Sequence, residues 1–449
     1  MVFTSSVGRL PVEILSMIAV HLDIQHLLTL SHVCVRWTAV ARAHPVFWRD
    51  IRLAAVSHSA LEFFQARLVS GLERGVYITL CLADHPSCDG IRTIVLPAIT
   101  RNLFRVVQLG LDLQSDVADS ALPALSKPAP HLESFSLRFF HCSKARPAVT
   151  LAPNLFASHC PRLTDLSLAD VAFPKQPILA FHNAHSVMFH FHSPRAIPFS
   201  LFEHLPALQK LIVMGPSCLG VESADGKADL PPLRELQLWL TRYDYDAVFE
   251  SITNLASVAH VLCRRPHDQI ARRLVADLHG PLELHFLRII DRMVHMHLYD
   301  SAAERGRTLV EQAAQLPDDL PRTVLFAPDL QDRIITLLLD ARLAYLVPHL
   351  DELPRCRTLE IILVPGVPVP SIDISTPLRL PELCEVVCGN GEEHPTTFIS
   401  VDADPLRKFL SQLLGAGPKR PSLRLHGIIV KGDRDALFND YDNSTRTEV

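Results

Sequence analysis

Glycine is scarce in this chain, at 17 of 449 residues, and tryptophan and tyrosine are scarcer, at 3 and 6. The glycines form no phosphate-cradling loop and no G-x-S-x-G nucleophile elbow, and no H-E-x-x-H pair marks a metallohydrolase helix. Catalysis therefore has no candidate residue, and the chain is expected to be non-enzymatic, with no cofactor. Neither sign of charge is in excess: 43 Lys and Arg stand against 48 Asp and Glu, for a net charge of -5. Without a basic stripe or tail to follow a phosphate backbone, nucleic acid is not an expected partner. Long apolar runs are missing too, because Pro, Arg, Asp or His interrupts each well before the ~18 residues a bilayer span needs, so no membrane contact is expected. The opening MVFTSSVGRLPVEIL lacks the charged start, apolar core and cleavage site of a secretory signal. The ten cysteines lack the dense spacing of a secreted disulfide scaffold and read as reduced, mostly buried thiols of the cytosol or nucleus.

Metal-ligand spacing is equally thin. His182, His185, His190 and His192 form the densest histidine cluster, without a nearby Cys or carboxylate to complete a ligand set, and His295 and His297 merely alternate. Cys384 and Cys388 lie four apart with no second pair, so no metal site is expected.

What the chain does contain begins at Leu10. The segment Leu10 to Leu53, LPVEILSMIAVHLDIQHLLTLSHVCVRWTAVARAHPVFWRDIRL, spaces its apolar residues as helices do. Three short helices are predicted. Pro11 suits the first turn of one lined by Ile14, Leu15, Ile18 and Leu22, and Asp23 suits the cap of a second with Leu27, Leu28 and Leu30. The third carries Val33, Cys34, Trp37, Val40 and Ala41. So small a bundle displays more Leu, Ile and Trp than its own core can absorb, and a partner should cover the excess.

The residues that carry this excess resemble an F-box: Leu10-Pro11 with Glu13 and Ile14, the Leu22-Asp23 corner, the Leu27-Leu28 pair, the Val33-Cys34 step, Trp37, and Pro45 followed by Trp48 and Ile51. One departure is Val35, where many F-boxes are basic, with Arg36 beside it. The resemblance implies that Leu10, Pro11, Ile14, Leu15, Ile18, Leu27, Leu28, Val33, Cys34 and Trp37 supply the surface or supporting core that docks on the Skp adaptor, and through it a cullin. Residues 1–9 would be a flexible start and 10–53 the F-box. A connecting helix over 54–75 would bury Leu61, Phe64, Leu68 and Leu72, with Glu62, Arg67, Glu73 and Arg74 in water and Gly71 and Gly75 ending it.

From there an apolar-x-x-apolar-x-apolar element recurs: VVQLGL (106–111), LESFSL (132–137), LTDLSL (163–168), AHSVMF (184–189), LQKLIV (208–213) and LRELQL (233–238), with VYITLCL (76–82) as an opening unit. Starts fall 21 to 31 residues apart, and Pro precedes four of the copies, halting a helix and favouring an extended strand. Beyond Leu240 the pattern blurs through VAHVLC (258–263), ELHFL (283–287), VHMHLY (294–299), TVLFA (323–327), TLEIILV (358–364), CEVVC (384–388) and LRLHGIIV (423–430), with a helical run expected from Asp329 to Tyr345. The expected fold is α/β: a three-helix F-box followed over 76–430 by a leucine-rich-repeat-like solenoid with a parallel sheet and outer helices, then a polar, frayed tail over 431–449.

On such a sheet alternate residues face outward, which exposes Arg138, Met188, His190, Ile212, Met214, Glu235 and Trp239 to a target protein. The function that follows is a substrate receptor of a Skp-cullin-F-box ubiquitin ligase; the alternative is a scaffold that joins the adaptor without ubiquitin transfer.

Overall fold

The structure is a computed structural model; it describes residues 10–22, 24–70, 74–83, 89–140, 148–198, 200–222, 230–241, 245–289, 293–312, 328–350, 352–370, 377–390, 398–415 and 420–442. The chain divides into two compact units, the first comprising residues 1–215 and 221–231, the second 216–220 and 232–449.

The first unit opens with helices α1 (Val12–Val20), α2 (Ile24–Ser31), α3 (Val35–Ala43) and α4 (Pro45–Arg49). Pro11 caps α1 from outside it, in extended conformation. Leu15 and Ala19, four apart and therefore on one face of α1, enter the bundle core. Leu15 joins Trp37 and Val40, with Leu10 and Leu30 packed against them, while Ala19 joins Leu27 and Ala41 beside Leu22 and Val46. Val33 and Cys34 precede α3 instead of lying in it: the Val33 N–H closes a turn on the Leu30 carbonyl, and Cys34 is an extended N-cap. Leu22 likewise falls just past the end of α1. Asp23, expected to cap α2, lies outside the described residues. The fourth helix was not foreseen; Pro45 starts it, and the His44 ring accepts from the Val46 N–H at 3.3 Å.

The end of this segment is a strand, β1 (Asp50–Leu53), and α5 (His58–Ser70) carries the chain back to β2 (Val76–Cys81), which pairs parallel with β1. Leu61, Phe64 and Leu68 of α5 are buried as expected; Leu72 lies outside the described residues. Arg67, expected in water, is buried with them. Strands β3 (Val106–Gln114), β4 (Ser134–Phe140), β5 (Asp165–Ala169), β6 (Ser186–His190) and β7 (Lys210–Gly215) follow, each parallel to its predecessor, with helical segments over Leu96–Asn102 and Ala118–Ala124 between the early ones. Alternation sends one face inward: Phe135, Leu137 and Phe139 of β4 are buried, and Phe135 meets Phe156 edge-on at 5.1 Å.

The second unit contains β8 (Glu235–Leu240), β9 (His260–Arg264), β10 (Leu282–Ile289), β11 (Met293–Asp300), β12 (Arg305–Gln312), β13 (Ile334–Asp340), β14 (Thr358–Ile362), β15 (Glu385–Gly389) and β16 (Ser422–His426). Their spatial order is β8-β9-β12-β11-β10-β13-β14-β15-β16, and β11 runs antiparallel to both neighbours. The sheet is thus mostly parallel, with a three-strand meander set into it. Both units are mixed α/β.

Four sequence expectations are corrected here. The run Asp329 to Tyr345 is a short helix (Pro328–Gln331), a strand (β13) and a 3-10 helix (Ala341–His349), because β-branched Ile334, Ile335 and Thr336 open a continuous apolar stretch whose period does not separate strand from helix. Strand β12 was not foreseen. LRLHGIIV breaks at Gly427, whose φ of 65° ends β16; the following Ile428–Lys431 pairs instead with Ile399–Asp402. The tail is not frayed through residue 442: a helix over Arg434–Phe438 buries Leu437, and Tyr441 is buried too. The expected strand TVLFA lies outside the described residues.

Candidate docking surfaces

The side of α1 that turns away from the bundle core is apolar. Val12, Ile14, Met17, Ile18 and Val20 are exposed, Met17 by 64% and Val20 by 60%; Val33 is exposed as well, and Val35, at the start of α3, by 87%. Of the ten residues expected to serve docking, Pro11, Ile14, Ile18, Val33 and Cys34 are exposed, Leu10 and Leu28 are half-buried, and Leu15, Leu27 and Trp37 form the core beneath. Sequence reasoning missed Val12, Met17 and Val20, although their spacing off the Leu15-Ala19 stripe was available, and it missed Val35 at the start of α3.

This surface is fixed to the sheet. Arg67 donates from Nε to the Phe47 carbonyl at 2.7 Å and from a terminal nitrogen to the Asp50 carbonyl at 2.8 Å, so α5 grips α4 and β1 at once. Burial lowers the Arg67 pKa to about 10, which leaves it charged at neutral pH. Arg36 donates to the Leu10 carbonyl, and the Trp48 indole to the Arg42 carbonyl, tying the ends of the bundle.

On the first unit's sheet, register brings the expected target residues into two adjacent rows. Gly110, Ser136, Ser167, Met188 and Ile212 align in one, and Asp112, Arg138, Ala169, His190 and Met214 in the next. Arg138, Met188, His190, Ile212 and Met214 therefore share a face. They are half-buried where the sequence reading has them exposed, because side chains on strands ~4.8 Å apart shade one another. Arg138 pairs with Asp112 at 3.8 Å and lies over the Phe140 ring. Burial, then the charges of His192 and Arg138, lowers the His190 pKa.

The carboxylate thought absent from the histidine cluster is Asp170, which accepts from the His192 N–H at 2.9 Å and binds its ring. His190 and His192 rings lie 4.6 Å apart. Among the described residues, no three His, Cys, Asp or Glu converge as a metal site. Among those same residues Cys160, Cys218, Cys263, Cys356 and Cys388 are buried free thiols, and burial raises Cys160, Cys356 and Cys388 to about 12.

In the second unit Glu235 and Trp239 share a face of β8. The Trp239 indole donates to Gln237 Oε1 at 2.9 Å, and the Gln237 amide donates to Glu235.

The first unit thus opens with a helical module that keeps an exposed apolar side and is clamped to the edge of a parallel sheet. The comparison with protein families agrees: the F-box-like family matches residues 7–54, so an F-box-like domain occupies the start of the chain. Among curated proteins none matches the chain. Among the described residues, no helix is long and apolar enough to cross a membrane.

Proposed function

We propose that the chain is the substrate-recognition adaptor of a Skp-cullin-F-box ubiquitin ligase, docking on the Skp adaptor through residues 10–53 and holding a target protein on a leucine-rich-repeat-like sheet. One observation carries the reading: the F-box-like segment leaves the outer stripe of α1 exposed, with Ile14 and Ile18 directed away from the core that Leu15 and Ala19 fill. At about 1.5–3 kcal/mol per large apolar side chain buried, this stripe with Leu10, Pro11, Leu28, Val33 and Cys34 supports a stable contact after ordering costs. Leu15, Leu27 and Trp37 hold its shape from beneath. Recurrent parallel strands with a Pro lead-in support the repeat reading. The chain would act by proximity, raising the effective concentration of target lysines near the ubiquitin-carrying enzyme.

Ile14→Asp combined with Ile18→Asp is expected to abolish capture of the Skp adaptor with the melting temperature nearly unchanged, because neither side chain supports the core. Undiminished capture in a pull-down ends the F-box assignment. Recovery of adaptor without cullin favours a scaffold that does not transfer ubiquitin. On the recognition side, Trp239→Ala should weaken target capture while shifting the thermal midpoint by only a few degrees; a large shift makes Trp239 a packing residue instead.

A further inference from the structure

The second unit gathers histidines where its parallel sheet gives way to the meander. Register sets Glu235, His260, Gly306, Tyr299 and Glu283 in one row across β8, β9, β12, β11 and β10. The next row runs Leu262, Thr308, His297, His285, Leu338 and Glu360. The His260 and Tyr299 rings are nearly parallel, 9° apart, and Tyr299 stacks on His297 as well. Gly306 makes the convergence possible, since a Cβ there would sit 2.7 Å from both His260 Nδ1 and His297 Cε1. His297 Nδ1 is engaged by the Thr308 hydroxyl at 2.7 Å, and the His285 ring lies 5.7 Å from the His297 ring. With His297 held neutral by burial and its neighbours, the carboxylates set the charge of the face near neutral pH.

Those carboxylates outnumber the cations around them. Glu235 flanks the cluster on one side, Glu283 lies within it, and Glu360 and Glu385 follow on the other side. Against them the same face carries Arg264 on β9 and Arg424 on β16, and Arg424 is already committed to Glu385 at 3.0 Å.

We propose that this histidine-bearing face takes a basic, lysine- or arginine-bearing segment of the target protein near neutral pH and releases it on acidification. The inference rests on the reading of the sheet face as the recognition surface and adds the chemistry of its occupant. Carboxylates spread along one sheet face complement an extended cationic chain, and the Trp239 ring offers it a cation-π contact. Protons taken up by the imidazoles place positive charge among the carboxylates and repel the occupant. A protonated His285, 3.4 Å from Glu283, also withdraws that carboxylate into an internal pair. The groups facing His297 are His260 from β9, Thr308 from β12, His285 and Glu283 from β10, and His295 and Tyr299 on its own strand; burial first, then the neighbouring imidazoles, hold it at about 4. By linkage, a cation bound nearby lowers the proton affinity of these rings, and acid weakens the bound cation to the same degree.

The test uses the full-length chain and two fluorescent extended peptides of equal length, one with lysine and one with glutamate at every third position. Binding of the lysine peptide is expected at about pH 7.5 and should weaken about tenfold as the pH falls to about 4, where His297 takes up its proton, with the glutamate peptide the poorer ligand at the higher pH. Glu283→Gln with Glu360→Gln should cost about fivefold to tenfold, whereas removing the same charge from the first unit, by Glu62→Gln with Asp119→Asn, should leave affinity unchanged. Hydrogen exchange on the wild-type chain gives a readout independent of the folding of any variant, with protection expected over Leu282–Ile289 and Met293–Asp300. Equal losses in the two variant pairs, or affinity indifferent to pH, overturn the proposal. Protection of the same strands by the glutamate peptide overturns the basic chemistry while keeping the face as a recognition surface; no protection by either removes that face from recognition. Adaptor capture by the same sample reports separately on the F-box reading.

Discussion

Three arginines that composition would assign to solvent lie in the interior. Arg67, Arg105 and Arg307 are almost wholly buried, and each spends its guanidinium largely on main-chain carbonyls. Arg105 reaches the Leu68 and Arg74 carbonyls and Asn102 Oδ1, joining α5 to the strand after it. Arg307 pairs with Asp277 and donates to the carbonyls of Val258, Ala259, Leu274 and Gly306. A planar fork with five donors can close several chain ends at once, which lysine cannot. Arg67→Met should therefore cost about 2 kcal/mol or more, since two carbonyls lose their donor, and Arg67→Lys should recover only part of it; chemical denaturation measures both. A cost no larger than that of an exposed substitution would show that water replaces the guanidinium. The position of Arg67 was legible, because it lies three residues after Phe64 on the buried stripe of α5. Its charge hid the burial, for no local pattern reveals which carbonyls will need a donor.

At the scale of elements, strands were readable wherever apolar and polar residues alternate, so most of the repeated motifs coincide with strands beginning about two residues inside them. Direction was not readable. VHMHLY alternates as its neighbours do, yet forms β11, antiparallel on both sides, because pairing partner and sense come from connections and not from period. That meander gathers the histidines, and a stability signature follows. His297 is held neutral in the folded chain, its pKa lowered from 6.5 to about 4 by burial and then by His285, His260 and His295. Between those values the unfolded chain binds more protons than the folded one, so stability falls as pH drops from about 6.5 toward 4. His297→Gln should flatten this slope in thermal melts recorded across that window. Gly306→Ala should act from the other side: the added Cβ pushes His260 and His297 apart, and the His297 titration followed by NMR should move up toward its ordinary value. An unmoved titration would show that the crowding over Gly306 plays no part.

For the molecule as a whole, the consequential feature is that the F-box-like segment and the first sheet share a strand. Asp50–Leu53 reads in the sequence as the close of the helical module, and it is also the first parallel partner of Val76–Cys81. The sequence shows the alternation of Ile51 and Leu53, but not that their partners lie beyond α5. Orientation of the docking surface toward the first unit's sheet therefore depends on backbone pairing and on the Arg67 clamp instead of on a loose tether. A truncation pair tests this directly. Removing residues 1–44 leaves the Phe47 and Asp50 carbonyls for Arg67 and keeps β1 on the sheet, so the remainder should keep the association state of the full chain and melt close to it. Removing residues 1–53 takes away both acceptors, strands a buried guanidinium, and bares the edge of VYITLC, a β-prone segment without charge. That shorter chain should melt lower and associate through the bared edge on size-exclusion chromatography. If the two truncations behave alike, β1 is dispensable to the sheet, and the docking helices are joined to it by no more than the chain itself.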